Sequence, residues 1–394
     1  MVDLKKAPVK VAVIFGTRPE AIKLAPLIKR LQASPERFQA ITIATAQHRQ
    51  MLDQVLSLFA ITTDHDLDII RPRQSLAQFS AAAITGLDSV LRAVKPDLVV
   101  VQGDTSTTFT GALAAFYHKI PVAHVEAGLR TRHKFYPYPE EINRQLTSIL
   151  ADAHFAPTAD ARDNLLSEGI PPDKIWVTGN TVIDALDDLL AWNRPFDHPV
   201  LARIQRDQLR LILVTSHRRE NQGIPQERIC AALLELLAQF PDVLVAFPVH
   251  LNPSVRDTIL PRLKDHDRIV LLEPLDYLAT IHLMKAAYLI LTDSGGIQEE
   301  APALGKPVLV LRDVSERPEG IRGGTVRLVG THTDRIVQSA SELLLNAEAY
   351  RTMAEAINPY GDGRACVRIL EVLESITGRA ERPAAFSGFS GHRK

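Results

Sequence analysis

Short apolar, β-branched runs alternate with amphipathic stretches along almost the whole chain. A first series of strand candidates comprises VKVAVIFG (9–16), AITIAT (40–45), DLVVVQG (97–103), PVAHVEA (121–127) and HFAPT (154–158). A second comprises LRLILVTSH (209–217), VLVAFPVH (243–250), IVLLEP (269–274), YLILTDS (288–294) and PVLVLR (307–312). Between them lie stretches with helical spacing, such as EAIKLAPLIKRLQ, QMLDQVLSLF and PQERICAALLELLAQF. Strands that are apolar nearly throughout, rather than at every second position, belong to parallel sheets covered by helices on both faces. Two such series predict an α/β chain of two Rossmann-like, doubly wound domains, each with its site at the carboxyl ends of its strands. A Pro-containing segment at 179–208 marks the expected connection, and there is no literal internal repeat.

Composition narrows the class without changing this picture. The 394 residues are 46% hydrophobic and 23% charged, with a formal net charge of −1 and no long block of one sign. Nothing in that balance favours a nucleic acid or an anionic membrane surface. Two cysteines, Cys230 and Cys366, fit a reducing compartment and exclude a Cys-based zinc site. The N-terminal apolar run breaks at once into Gly-Thr-Arg-Pro, unlike a signal peptide, and no run approaches the roughly 20 apolar residues of a membrane span. A cytoplasmic location is the expectation. From Arg379 onward the sequence is basic and aperiodic, and disorder is expected there.

The candidate chemistry sits where strands end. Strand YLILTDS runs into Ser294, Gly295 and Gly296 and then a helix carrying Glu300. Glycines at such a turn let phosphates approach the backbone, and a following helix start presents N–H donors. Glu300 is spaced to reach a ribose. Asp293-Ser294-Gly295 also invites a nucleophile reading, but no G-x-S-x-G elbow frames the serine; a plain tight turn is the third possibility. At the first strand's end, Gly16-Thr17 leads into Arg18, Pro19 and Lys23, two cations that can address an anion or simply face solvent. The turn is neither a Walker loop nor a G-x-G-x-x-G fingerprint, so ATP and NAD are not indicated.

Acidic groups follow. Asp104 ends DLVVVQG, Glu126 ends PVAHVEA, and Glu140 opens the helix after Pro139. Parallel strands share one carboxyl edge, so Asp104 and Glu126 should lie close together, with Asp104 alternatively serving as a helix cap. Three acids at one rim point to acid/base work where their environments separate their pKa values. His217, followed by Arg218, ends a strand of the second series and suits phosphate or leaving-group charge, as does His250 at the end of the next; Arg312 and Arg317 follow the last strand and could close over the ligand or belong to a solvated charged loop. His124-x-Glu126 offers two metal ligands at best, so no metal is expected. Cations on one half and a glycine turn on the other suggest a ligand with a diphosphate, such as a nucleotide sugar.

These motifs occur in a known order. FGTRPEAIK (15–23), GDTSTT (103–108), HVEAGLRT (124–131), PYPEEINRQLT (137–147), TGNTVIDAL (178–186), SHRREN (216–221), LTDSGGIQEEAPALGKPVLVLRD (291–313) and ERPEG (316–320) resemble the bacterial non-hydrolysing UDP-N-acetylglucosamine 2-epimerases. The resemblance covers roughly residues 9–375. It implies two Rossmann-like domains facing across a cleft (the glycosyltransferase-B type) and a homodimer. The implied bounds are 1–180, 181–361 for the UDP-binding domain, 362–378 for a helix returning to the first domain, and 379–394 for the tail. It also implies an isomerase that interconverts UDP-GlcNAc and UDP-ManNAc by way of a 2-acetamidoglucal, with no cofactor, supplying ManNAc units for cell-surface polysaccharide. By motif, Asp104, Glu126, Glu140 and His217 match its catalytic positions, and Arg18, Lys23, Ser294, Gly295, Gly296, Glu300 and Arg317 match its UDP-sugar contacts. Gln47, Gln50, Arg73, Glu140, Arg218 and His250 match the positions at which some members bind a second, activating UDP-GlcNAc. Thr280 departs from the aromatic that some members place near the uracil. A retaining glycosyltransferase, a hydrolysing epimerase and a catalytically silent nucleotide-sugar sensor are the rival readings.

Overall fold

A computed structural model describes residues 7–45, 49–192, 196–315 and 317–383. The chain packs into two compact units: the first is built from residues up to Asp188 and from Tyr360 onward, the second from Leu189–Pro359.

The sheet of the first unit contains β1 (Val9–Phe15), β2 (Phe38–Ala44), β3 (His65–Asp66), β4 (Leu98–Gln102), β5 (Val122–Val125), β6 (Ala153–Ala156) and β7 (Ile175–Val177). The second contains β8 (Arg210–Thr215), β9 (Val243–Pro248), β10 (Ile269–Leu272), β11 (Leu289–Thr292), β12 (Val308–Val310) and β13 (Val326–Leu328). Spatial order is β3-β2-β1-β4-β5-β6-β7 in one and β10-β9-β8-β11-β12-β13 in the other, with all pairings parallel. Each sheet therefore reverses its winding once, between β1 and β4 and between β8 and β11. In doubly wound sheets the ligand crevice opens at the carboxyl ends beside that reversal.

Burial explains why the apolar runs were continuous. Val11, Ala12, Val13 and Phe15 have no exposed surface, and neither do Leu24, Leu27, Ile28 and Leu31 on the covering helix Arg18–Gln32. Each Val, Leu, Ile or Phe side chain among them contributes about 1.5–3 kcal/mol relative to exposure. That helix starts on a capping box: Thr17 accepts from Glu20 N while the Glu20 carboxylate accepts from Thr17 N at 2.7 Å.

Three strands carried no readable signal: β3, β7 and β13. All three lie at sheet edges, are two or three residues long, and include polar or half-exposed side chains such as His65 and Arg327.

After Tyr360 the helix Ala365–Ile376 packs on the helix Arg18–Gln32 within the first unit. Its first N–H groups, on Ala365 and Cys366, donate to the buried Asp184 carboxylate at 3.1 and 2.9 Å. Burial pushes that carboxyl up to about 6. Beyond Arg379 the chain stays against this unit as far as it is described: Arg382 donates to Asp173 O at 2.7 Å and lies over the Trp176 ring. The remainder of the tail, 384–394, lies outside the described residues.

Gly128, two residues beyond Glu126, shows how tightly this edge is built. Its φ is +92°, and a Cβ there would stand 2.1 Å from the backbone oxygen of Ala161. Gly128→Ala adds left-handed strain to a clash with backbone, so a loss of about 2–4 kcal/mol is expected. Urea unfolding of the variant checks this, and an unchanged midpoint would refute it.

Candidate active site

In the first unit, adjacent strand ends bring the charged groups together. Glu126 follows β5, beside β4, and is almost fully buried. Its backbone is left-handed, with φ at +63°, a conformation that costs a non-glycine residue about 1–3 kcal/mol. The carboxylate is held on several sides: Oε1 accepts from Lys23 Nζ and from Asn180 Nδ2 at 3.0 Å, and Oε2 accepts from Gln102 Nε2. Lys23, expected to face an anion beside Arg18, turns instead to this carboxylate. A buried ion needs such partners to remain charged.

Asp104 lies one strand away, after β4. It is not the cap of the next helix, Ser106–Tyr117; that role belongs to Thr105, whose side chain accepts from Thr108 N. Asp104 instead accepts from Arg144 Nη2 at 2.5 Å, and its backbone oxygen accepts from Asn143 Nδ2 at 3.0 Å. Loss of water raises the Asp104 pKa above the ordinary carboxylate value, Arg144 pulls it back, Glu126 raises it further, Lys23 lowers it, and Glu140 adds a smaller upward push. All five groups therefore lie within electrostatic reach of one another. About a quarter of the Asp104 side chain stays open, so the desolvation is partial. Glu140 begins the helix Glu140–Leu150 and is half-buried, while its neighbour Glu141 is consumed by the loop, accepting from Thr131 N and Arg132 N at 3.0 Å each.

Beneath these groups the buried Glu20 carboxylate ties the two turns of the winding reversal together. It accepts from Gly16 N at 3.0 Å and from Thr105 Oγ1 at 2.6 Å, and burial raises its pKa. His124, also buried, has its ring nitrogen Nε2 2.7 Å from Gly103 O. Burial lowers its pKa to about 3, so it is neutral. Among the described residues, no three His, Cys, Asp or Glu side chains are grouped to hold a metal ion.

In the second unit, Gly295 and Gly296 open a short helix, Gly295–Glu300, for which Ser294 is the N-cap without a side-chain capping bond. Arg317 lies across the turn: a Cβ on Gly295 would meet its Cζ at 3.0 Å, and its Nε donates to Glu299 Oε1 at 2.8 Å. Gly295 is required for that close approach, whereas Gly296 is open. Glu300 accepts from the Tyr277 hydroxyl at 2.7 Å, which fixes one carboxylate oxygen. His217, after β8, faces the fully buried Asp293 and stacks against His250, with ring centroids 5.8 Å apart. Although 40% of the His217 side chain is exposed, partial desolvation lowers its pKa, and Arg218 and His250 add to that; Asp293 opposes them. Arg312 is buried, with Nη2 3.3 Å from Glu220 Oε1, and does not stand over the rim.

Of the second-site positions, Arg73 is exposed with φ at +59°, Arg218 is half-buried and His250 is exposed. Gln47 lies outside the described residues, as does the side chain of Gln50. Sequence reasoning assigned no site role to Arg144, Asn180, Gln102, Glu20, Asp293 or Tyr277, although Arg144 and Asp293 lie within motifs it quoted. Two signals were available: Thr17-x-x-Glu20 is a capping-box pattern, and Arg144 stands four residues after Glu140, on the same helix face.

Two doubly wound parallel sheets with charged groups gathered at their carboxyl ends define a two-Rossmann protein of the glycosyltransferase-B type. A family model described as UDP-N-acetylglucosamine 2-epimerase matches residues 29–374. A UDP-N-acetylglucosamine 2-epimerase of Bacillus subtilis is 52% identical over 380 residues, covering 96% of this chain and 99% of that protein. A crystal structure from Listeria monocytogenes superposes with a TM-score of 0.91 at 48% identity, covering 96% of this chain and 100% of that one. The UDP-GlcNAc 2-epimerase of Neisseria meningitidis, solved bound to UDP-GlcNAc, gives a TM-score of 0.83 at 50% identity over 93% of this chain and 99% of that one. The chain belongs to the UDP-N-acetylglucosamine 2-epimerase family, and is thereby an isomerase. Among the described residues no helix is long and apolar enough to cross a membrane.

Proposed function

We propose that this chain interconverts UDP-GlcNAc and UDP-ManNAc by elimination and re-addition of UDP. A carboxylate of the first unit removes the proton at C2. The C–H electron pair forms a C1=C2 bond, and the C1–O bond breaks with its pair leaving on UDP, giving 2-acetamidoglucal. A proton returned to the opposite face of C2, with re-addition of UDP at C1, completes the inversion. The sequence is redox-neutral, so no hydride carrier takes part.

The observation that carries this reading is the acidic pair at neighbouring strand ends, each acid with its own partners: Glu126 with Lys23, Gln102 and Asn180, and Asp104 with Arg144. Different surroundings for two acids are what opposite-face proton transfer requires, and Glu140 is the third candidate. For UDP, the reading uses Ser294, Gly295, Gly296 and Arg317 at the diphosphate, Glu300 at the ribose, Arg18 and, on turning from Glu126, Lys23 as further cations, and His217 at the leaving oxygen. Support also comes from relatives solved with UDP-GlcNAc or with both UDP-GlcNAc and UDP. Ser294 is then a hydrogen-bond donor, not a nucleophile.

Positional isotope exchange tests the elimination directly. With 18O in the sugar–phosphate bridge, label should scramble into the non-bridging β-phosphate oxygens as UDP leaves and returns. Retention of all label in the bridge during epimerisation would exclude C1–O cleavage. We further propose a homodimer that feeds cell-surface polysaccharide. Exposed Phe116, Tyr117 and Ile149 on the packed helices Ser106–Tyr117 and Glu140–Leu150 support the dimer. A second, activating UDP-GlcNAc bound through Gln47, Gln50, Arg73, Glu140, Arg218 and His250 predicts a sigmoidal rate curve and little turnover of UDP-ManNAc alone. A strictly hyperbolic curve would end that part of the proposal.

A further inference from the structure

Asp293 divides its two oxygens between different tasks. It follows β11, which pairs with β8 through Thr292 and Thr215, and it has no exposed surface. Oδ2 is saturated by the loop after β8: His217 N, Arg218 N and Asn221 Nδ2 each donate at 2.9 Å, and Ser216 Oγ at 3.2 Å. Oδ1 makes no hydrogen bond among the described residues, yet it stands 3.3 Å from His217 Nδ1. A buried carboxylate facing an imidazole nitrogen can only accept, so the stable tautomer carries its proton on Nδ1. That leaves Nε2, on the opposite side of the ring, to meet a ligand.

We propose that Asp293 is the positioning residue of His217, holding the Nδ1–H tautomer and balancing the imidazolium when Nε2 is protonated, so that Nε2 serves the departing UDP. The reacting form is the imidazolium: as C1–O breaks and its electron pair leaves on UDP, Nε2–H gives its proton to that oxygen, leaving the neutral Nδ1–H ring, and the proton returns to Nε2 on re-addition, whereas a neutral Nε2–H ring has no proton it can give up. This rests on the reading of His217 as the leaving-group partner given above. The charged and titratable groups acting on the ring are Asp293 and Glu220, which favour the cation, and Arg218 and His250, which oppose it.

Asp293→Asn isolates the effect. An amide oxygen in the place of Oδ2 keeps all four donors satisfied, while the NH2 group in the place of Oδ1 presents a donor to Nδ1. The proton must then move to Nε2. Protein labelled with 15N-histidine reports both ring nitrogens by NMR, with the His217 signals identified by their loss in His217→Gln. The expected result is Nδ1–H in the wild type, Nε2–H in Asp293→Asn, UDP affinity within about threefold, and kcat lower by about a hundredfold or more. An Nε2–H wild type, or a variant whose kcat stays within threefold, would overturn the proposal. Should Asp293→Asn not fold, the wild-type spectrum decides alone. Full turnover in His217→Gln would remove the underlying reading of His217, and the proposal with it, and the tautomer measurement tells that failure apart.

Discussion

Glu126→Gln should lower kcat by about a thousandfold while leaving UDP binding within a few-fold, because under the proposed elimination it removes a proton-transferring group and little else. The amide oxygen can take the place of Oε1 and still accept from Lys23 and Asn180. The amide nitrogen then faces Gln102, whose own side chain can turn to present its oxygen, so the buried cluster stays satisfied. The cost is confined to the lost charge beside Lys23 and the lost base. Steady-state kinetics with calorimetric titration of UDP measures both quantities. Equal losses in turnover and UDP affinity would show Glu126 to be a binding group instead.

Asp104→Asn should cost kcat about a hundredfold or more, again with UDP affinity nearly kept. Asn143 still donates to the Asp104 backbone oxygen, and Glu141 still accepts from Thr131 N and Arg132 N, so the helix that carries Glu140 keeps its place. The two variants differ in their pH signature. Burial raises Asp104, so its ionised form is lost as pH falls through a value above that of an ordinary aspartate. The acid-side limb of the wild-type rate profile should reflect that raised value, and Asp104→Asn should abolish it. A variant with the full limb and a kcat within tenfold of wild type would acquit Asp104.

What the chain disclosed early depends on local pattern. Ten strands, the edge strand β10 among them, announce themselves because apolar side chains run nearly unbroken along them, whereas IWV at β7 and VRL at β13 are too short and too exposed to stand out. Asp104 and Glu126 were findable because parallel strands end on a common edge, a rule that needs no knowledge of side-chain packing. Their partners were not. Asn180 follows β7, a strand that was itself unseen, and reaches Glu126 only once the sheet has assembled. Lys23 sits on a helix start that pattern alone aims at an anion; the depth of Glu126 redirects it. Asp293 was hidden differently: its neighbours Ser294, Gly295 and Gly296 form the conspicuous motif, while its own role depends on a loop after another strand.

Proton NMR of the protein with UDP-GlcNAc in deuterated water, without added metal or NAD, tests the central claim most directly. Elimination through C2 predicts deuterium entering C2 as UDP-ManNAc appears, with little free UDP. UDP-ManNAc formed with its C2 proton retained, or no exchange at all while UDP still binds, would contradict it.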